Sequence, residues 1–303
     1  MPYCQKCGKQ REEDAAFCSY CGARIEALQP PSQEPVVHEP VVQEEKPRGA
    51  QRLRAIEAVG ILFIVIVFAA IIIHQTMPNI LSPQPTQTLT SNDWSGYSVS
   101  TSLKNPQPTV TSVTGSWTVP SVTPTQGYSY SATWIGVGGQ FDQTLIQVGT
   151  QHNSLNGGLE YSAWYELLPD LPVTITTMQI KPGDTIKATI TQTNSITNTW
   201  SINIGDQTTG QSYRTSVVYG SQMLSAEWVV ERPIIGNRVG ALANFGSVKF
   251  TDCSATPGGK TGRITDFPSS QFTMINRQNV ALVSLSSIGQ DGSSFTASYI
   301  PIN

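Results

Sequence analysis

Residues 174–193 read TITTMQIKPGDTIKATITQT. β-Branched residues alternate with polar ones on both sides of Lys181-Pro182-Gly183-Asp184, so each half predicts a strand and the centre predicts a turn. The pattern repeats at once in TWSINIGDQTTGQ, residues 199–211. Outward from here, every run after Asp93 is short and punctuated by turn residues, and none keeps a helical period for more than about ten residues. About a dozen such runs in roughly 210 residues predict a large antiparallel β-sandwich or barrel, because a single open sheet would leave one apolar face in water.

The same segment is poor in charge. From Ser91 to the end there are ten Lys and Arg and twelve Asp and Glu in 213 residues, about a tenth of the segment where about a quarter is usual. Such a surface changes little as carboxylates protonate and suits an acidic exterior. The whole chain carries a net charge of -3 with pI ≈ 5.6 and no basic stripe, so no nucleic-acid partner is expected.

The first ninety residues have a different character. Cys4, Cys7, Cys18 and Cys21 form two Cys-x-x-Cys-Gly knuckles in YCQKCGKQREEDAAFCSYCG. Four thiolates at this spacing close a tetrahedral structural zinc site with no open position for a catalytic water. Residues 1–24 thus predict a zinc ribbon, and the stretch is similar to the short zinc-ribbon modules at the N-termini of many prokaryotic membrane proteins. Residues 25–54, rich in Pro, Glu, Gln and Val, predict a disordered linker. Ala58 to Ile73 is wholly apolar or Gly, and with its flanks, residues 55–75 predict one membrane-spanning helix. Lys46, Arg48, Arg52 and Arg54 precede it, which predicts a single-pass protein with a cytoplasmic N-terminus and an extracytoplasmic C-terminal domain. Residues 76–90 predict a second linker and 91–303 the β-domain.

Within that domain SAEWVVERP, residues 225–233, carries Glu227 and Glu231. Four residues apart on a strand, they share a face, and a packed sheet tolerates a carboxylate only where it is solvated, paired or used. Aromatic and Gly-rich stretches surround this run in sequence. The order NDWSGY, GSWTVP, WIGVGG, LIQVG, YSAWYE, PGDTI, AEWVVE and ANFGSVKFTDC, from Asn92 to Cys253, closely resembles the glutamic peptidases, or eqolisins. That resemblance implies a concanavalin-like sandwich of two bent seven-stranded antiparallel sheets and an acid endopeptidase acting on polypeptides. It implies a catalytic dyad of Gln147 and Glu231, and substrate-cleft walls from Trp94, Trp134, Tyr161, Tyr165 and Glu166. No catalytic cofactor is implied. Gly138 and Gln151 stand where many fungal relatives have acids, and Cys253 is the only cysteine of the domain, so a strongly acidic optimum and those relatives' disulfides do not carry over.

Rival readings of the residues remain open at this stage. A non-catalytic lectin-like or adhesion sandwich would use the aromatics alone, and a glycoside hydrolase would use Glu227 and Glu231 as its acid pair. A serine or cysteine hydrolase has little to build on, since His152 and Cys253 are the domain's lone histidine and cysteine. His152 is expected at the surface or in a cleft, and Trp117 in the core.

Overall fold

The computed structural model describes residues 86–301 with the exception of 237. The strands are β1 (Thr86–Ser91), β2 (Trp94–Val99), β3 (Ser112–Thr118), β4 (Tyr128–Gly138), β5 (Leu145–Leu155), β6 (Gly158–Leu167), β7 (Val173–Ile175), β8 (Thr185–Asn194) and β9 (Thr199–Asp206). They continue as β10 (Ser212–Val218), β11 (Ala226–Glu231), β12 (Ile234–Ile235), β13 (Arg238–Val239), β14 (Ser247–Ala255), β15 (Gly262–Arg263), β16 (Ser269–Met274), β17 (Val283–Leu285) and β18 (Phe295–Tyr299). One sheet runs β1-β16-β2-β11-β4-β5-β6-β7 and the other β10-β9-β8-β3-β14-β18-β17, with β15 beside β14.

The alternation seen in the sequence now has a physical target. On β11, Ala226, Trp228 and Val230 enter the core between the sheets, where Trp117, Trp200, Phe250, Ile135 and Ile202 meet them. Trp117 is thus buried in the core, 1 % exposed. Trp228 lies within it too, and its indole N–H is satisfied by the Thr114 carbonyl at 2.8 Å, as a buried donor requires.

The opening stretch forms strands, but not a hairpin. Val173–Ile175 pairs with β6 in one sheet, whereas Thr185–Asn194 pairs with β3 and β9 in the other. Lys181–Asp184 therefore carries the chain between sheets. Asp184 is buried, and its carboxylate accepts the Lys181 backbone N–H at 2.7 Å.

Three expectations need correction or bounding. The pairing is antiparallel except at one border, where β1 runs parallel to β16. That strand begins at Thr86, inside the stretch read as a linker. The zinc ribbon, the first linker and the membrane helix fall outside the described residues. Among the described residues no helix is long and apolar enough to cross a membrane; the helical segments there are two three-residue 3-10 turns, Pro257–Gly259 and Ile264–Asp266. The fold is accordingly all-β, with no membrane helix among its described elements, because each described run breaks at a turn or alternates with polar residues after a few positions.

Candidate active site

The face of the β1–β7 sheet turned away from the core carries the candidate residues. Pairing fixes which residues share it: Glu231 lies opposite Trp94 and Ala132, Val229 opposite Gly96 and Trp134, and Glu227 opposite Ser98 and Gly136. The ladder continues from Trp134 to Gly149 and Trp164, and from Gly136 to Gln147 and Glu166. Directly opposed residues point the same way, so Trp94, Trp134, Gln147, Trp164, Glu166, Glu227 and Glu231 all project from this face.

Gln147 and Glu231 are not on one rung. Glu231 sits four residues further along its strand than the rung that holds Gln147, and one side chain, Trp134, spans the offset. Trp134 occupies the rung between. Its indole N–H donates to Glu231 Oε2 at 2.6 Å, and its six-membered ring lies over Gly136, where an added Cβ would stand 3.0 Å from Cζ3. Gly149 opposite has the same use, since a Cβ there would lie 2.6 Å from that of Trp134. From the other flank, Glu166 accepts the Gln147 amide N–H at 2.5 Å. Gln147 is only 4 % exposed, and its Oε1 has no protein partner.

Electrostatics separate the carboxyl groups. Burial pushes Glu231 up to about 8, helped by the Asp93 and Glu166 carboxylates and opposed by the indole N–H groups of Trp134 and Trp94. Burial also raises Glu166, while the Gln147 amide holds it back. Glu227 is pushed well above the usual carboxylate range by burial. It is fully enclosed, and neither carboxyl oxygen makes a well-formed hydrogen bond, although the Ser225 hydroxyl and the Gln140 backbone N–H face it and partly offset the effect of burial. A sealed acid with Val229 between it and Glu231 cannot flank a glycosidic bond, which removes the paired-acid glycosidase reading.

Two expected cleft residues lie elsewhere. Tyr161 and Tyr165 alternate with Ser162, Trp164 and Glu166, so the pleat turns them toward the opposite sheet. Tyr161 accepts the Val122 N–H at 2.9 Å, and Tyr165 stacks on Tyr213 with ring centroids 6.1 Å apart. Trp164, passed over in the sequence, is on the cleft face with Ala132, Trp134, Leu145 and Val229; its spacing of two from Glu166 was the available signal. His152 is neither at the surface nor in the cleft. It is fully buried between the sheets and bonded through Nε2 to Thr150 Oγ1 at 2.8 Å, which also accepts the Trp117 indole N–H. Burial lowers it to about 3. Cys253 is likewise buried and free, its thiol raised well above the usual range by burial.

Comparison with known proteins identifies the family. The peptidase A4 family model matches residues 92–299. The chain belongs to the peptidase A4 family. As a member of that family it is a glutamic endopeptidase. It is 32 % identical over 207 residues to aspergillopepsin-2 of Aspergillus niger, covering 60 % of this chain and 71 % of that one. It is 29 % identical over 194 residues to scytalidopepsin B of Scytalidium lignicola, covering 60 % and 70 %. A crystal structure of scytalido-glutamic peptidase with a transition state analog inhibitor superposes with a TM-score of 0.58 at 23 % identity, over 69 % of this chain and 99 % of that one; at that identity it speaks for the fold. A zinc-ribbon domain model matches residues 3–25, which lie outside the described residues.

Proposed function

We propose that this peptidase A4 member cleaves polypeptides by activating one water between Glu231 and Gln147. The Glu231 carboxylate takes a proton from that water as its oxygen attacks the scissile carbonyl carbon, then returns the proton to the departing amine. Gln147 accepts the water through Oε1 and stabilises the tetrahedral oxygen with the amide N–H not given to Glu166. Trp94, Trp134, Trp164 and Glu166 wall the cleft. The observation that carries this reading is the enclosed, unpartnered Oε1 of Gln147 on the same face as the Trp134-bonded Glu231.

The test is paired substitution. Glu231→Gln and Gln147→Ala each lose about 10²–10⁴ in kcat on a peptide substrate while their circular dichroism stays that of the parent. Substantial cleavage by either folded variant overturns the reading. A lectin-like role would leave ligand binding intact in both.

The N-terminal cysteines support a second proposal. Cys4, Cys7, Cys18 and Cys21 supply four thiolates, the donor set of a closed structural zinc site, and zinc held there would fold the ribbon without entering the hydrolysis. One zinc per chain by elemental analysis of the purified protein is expected, and a folded, metal-free ribbon would refute it.

A further inference from the structure

Glu227 is the acid that the peptidase reading leaves without work. Its neighbours explain where it sits. The loop from Gly138 to Thr144 crosses over its rung and is pinned at each end. The Gly138 N–H donates to the Ser225 carbonyl at 3.0 Å. Asp142 Oδ1 accepts the backbone N–H of Thr144 at 2.6 Å, and Thr144 Oγ1 in turn accepts the Gln222 N–H at 2.9 Å. Between these ends Gln140 spans the face: its Oε1 accepts the Ser98 hydroxyl and its amide donates to Ser270 Oγ at 2.6 Å. Ser98 is the rung partner of both Glu227 and Ser270, so the Gln140 bridge lies on the same rung as the enclosed carboxyl.

The loop also touches the catalytic side. Gly139, at φ +99°, presses on Trp94, and an added Cβ would lie 2.8 Å from the indole Cη2. Trp94 meets Trp134 edge-on with centroids 4.9 Å apart, and Trp134 donates to Glu231. A continuous line of contact thus runs from the lid over Glu227 to the carboxylate proposed as the base.

We infer that Glu227 is a positioning residue: enclosed beneath the Gly138–Thr144 loop, its carboxyl lets Gly139 seat Trp94 and, through the Trp94–Trp134 pair, sets the orientation of Glu231. The inference rests on the proposed roles of Glu231 and Gln147. Once ionised, Glu227 would face only the Ser225 hydroxyl and the Gln140 backbone N–H, too little to hold a buried charge without water, and water enters only if the loop lifts. The groups around it do not offer a counter-charge. Ser98 on β2, Gly136 on β4 and Ser270 on β16 do not titrate, Glu231 on its own strand is acidic, and the loop itself contributes Asp142, a second acid whose Oδ2 is also buried without a partner. Loss of the Glu227 proton therefore releases the loop and with it the catalytic geometry.

The experiment follows kcat/KM and near-ultraviolet circular dichroism, to which the Trp94–Trp134 pair contributes, across pH in the full-length parent and in Glu227→Gln. The parent is expected to show a reversible loss of both signals on the alkaline side. In Glu227→Gln that loss moves up by at least one pH unit, giving about five- to tenfold higher kcat/KM than the parent one unit above the parent's midpoint. Coincident alkaline limbs overturn the inference. Should Glu227→Gln not fold, Gln140→Ala serves: with the bridge gone the carboxyl hydrates earlier, so the transition moves down in pH, and an unmoved transition overturns the inference. The dichroism transition of Glu231→Gln keeps the two readings apart. It persists there if Glu227 is its source, whether or not that variant still cleaves.

Discussion

Trp134→Phe isolates one hydrogen bond at the proposed centre. The substitution keeps an aromatic ring against Trp94 and over Gly136 but removes the N–H that lies 2.6 Å from Glu231 Oε2. A hydrogen bond to a charged acceptor contributes about 1.5–3 kcal/mol, taken at its lower end for a half-buried group. At about 1.36 kcal/mol per unit, that is a rise of roughly one unit or slightly more in the Glu231 pKa, from a starting point of about 8. In the proposed mechanism the basic form does the work, so kcat/KM climbs with pH until Glu231 is ionised, and in the variant that climb is displaced upward. At pH 6, where both proteins lie on the rising limb, the variant is about tenfold slower, and the two converge as Glu231 becomes ionised in both. A fluorogenic peptide assayed from pH 4 to 9 gives the two profiles. A variant limb that is unmoved, or shifted to lower pH, refutes the donor's role, and a parent profile that only falls with pH refutes Glu231 as the base.

Two further outcomes follow from the same geometry. Glu166→Gln removes a negative charge that raises Glu231 while leaving an oxygen to accept the Gln147 amide, so the rising limb should move to lower pH; an upward shift would show that Glu166 acts otherwise. His152 tests acid stability. Its folded value, about 3 against an ordinary 6.5, means that the native imidazole stays neutral while the unfolded chain binds a proton, so its contribution is complete above pH 6.5 and lost as pH falls toward 3. The full loss is about 4–5 kcal/mol, so His152→Leu should narrow the difference in Tm between pH 7 and pH 3; an unchanged difference would show that this histidine does not limit stability in acid.

The strands were legible because period-two alternation is a local property, visible in Thr185–Thr193 and Ala226–Glu231 alike. Sheet membership was not: the Pro182-Gly183 turn looks the same whether it returns a chain to its neighbour or sends it across the sandwich. Thr86–Ser91 escaped notice as a strand because Thr, Gln and Ser on a border strand need no apolar face. The shared face of Glu227 and Glu231 followed from their spacing, but their opposite environments depend on a loop from β4 to β5 that only the tertiary structure brings over Glu227. The tyrosines misled for a different reason. Resemblance supplied Tyr161 and Tyr165, yet counting by twos from Glu166 would have replaced them with Trp164. His152 is the hardest case, since its enclosure comes from Trp117, Thr150 and Tyr161, which lie on three different strands. Gln151 donates to Glu160 at 3.2 Å and adds no second titrating group to a strand that already holds His152.

The parallel seam between β1 and β16 has a mechanical corollary. Six matched positions, Thr86 with Ser269 through Ser91 with Met274, join the entering chain to the sheet along its own axis. Tension applied at Thr86 along the strand axis would load those backbone bonds in shear, all at once, and not peel them apart singly. The entry strand can thus act as a strain relief, leaving Trp94, three residues beyond the seam, undisturbed when the leading segment is tugged.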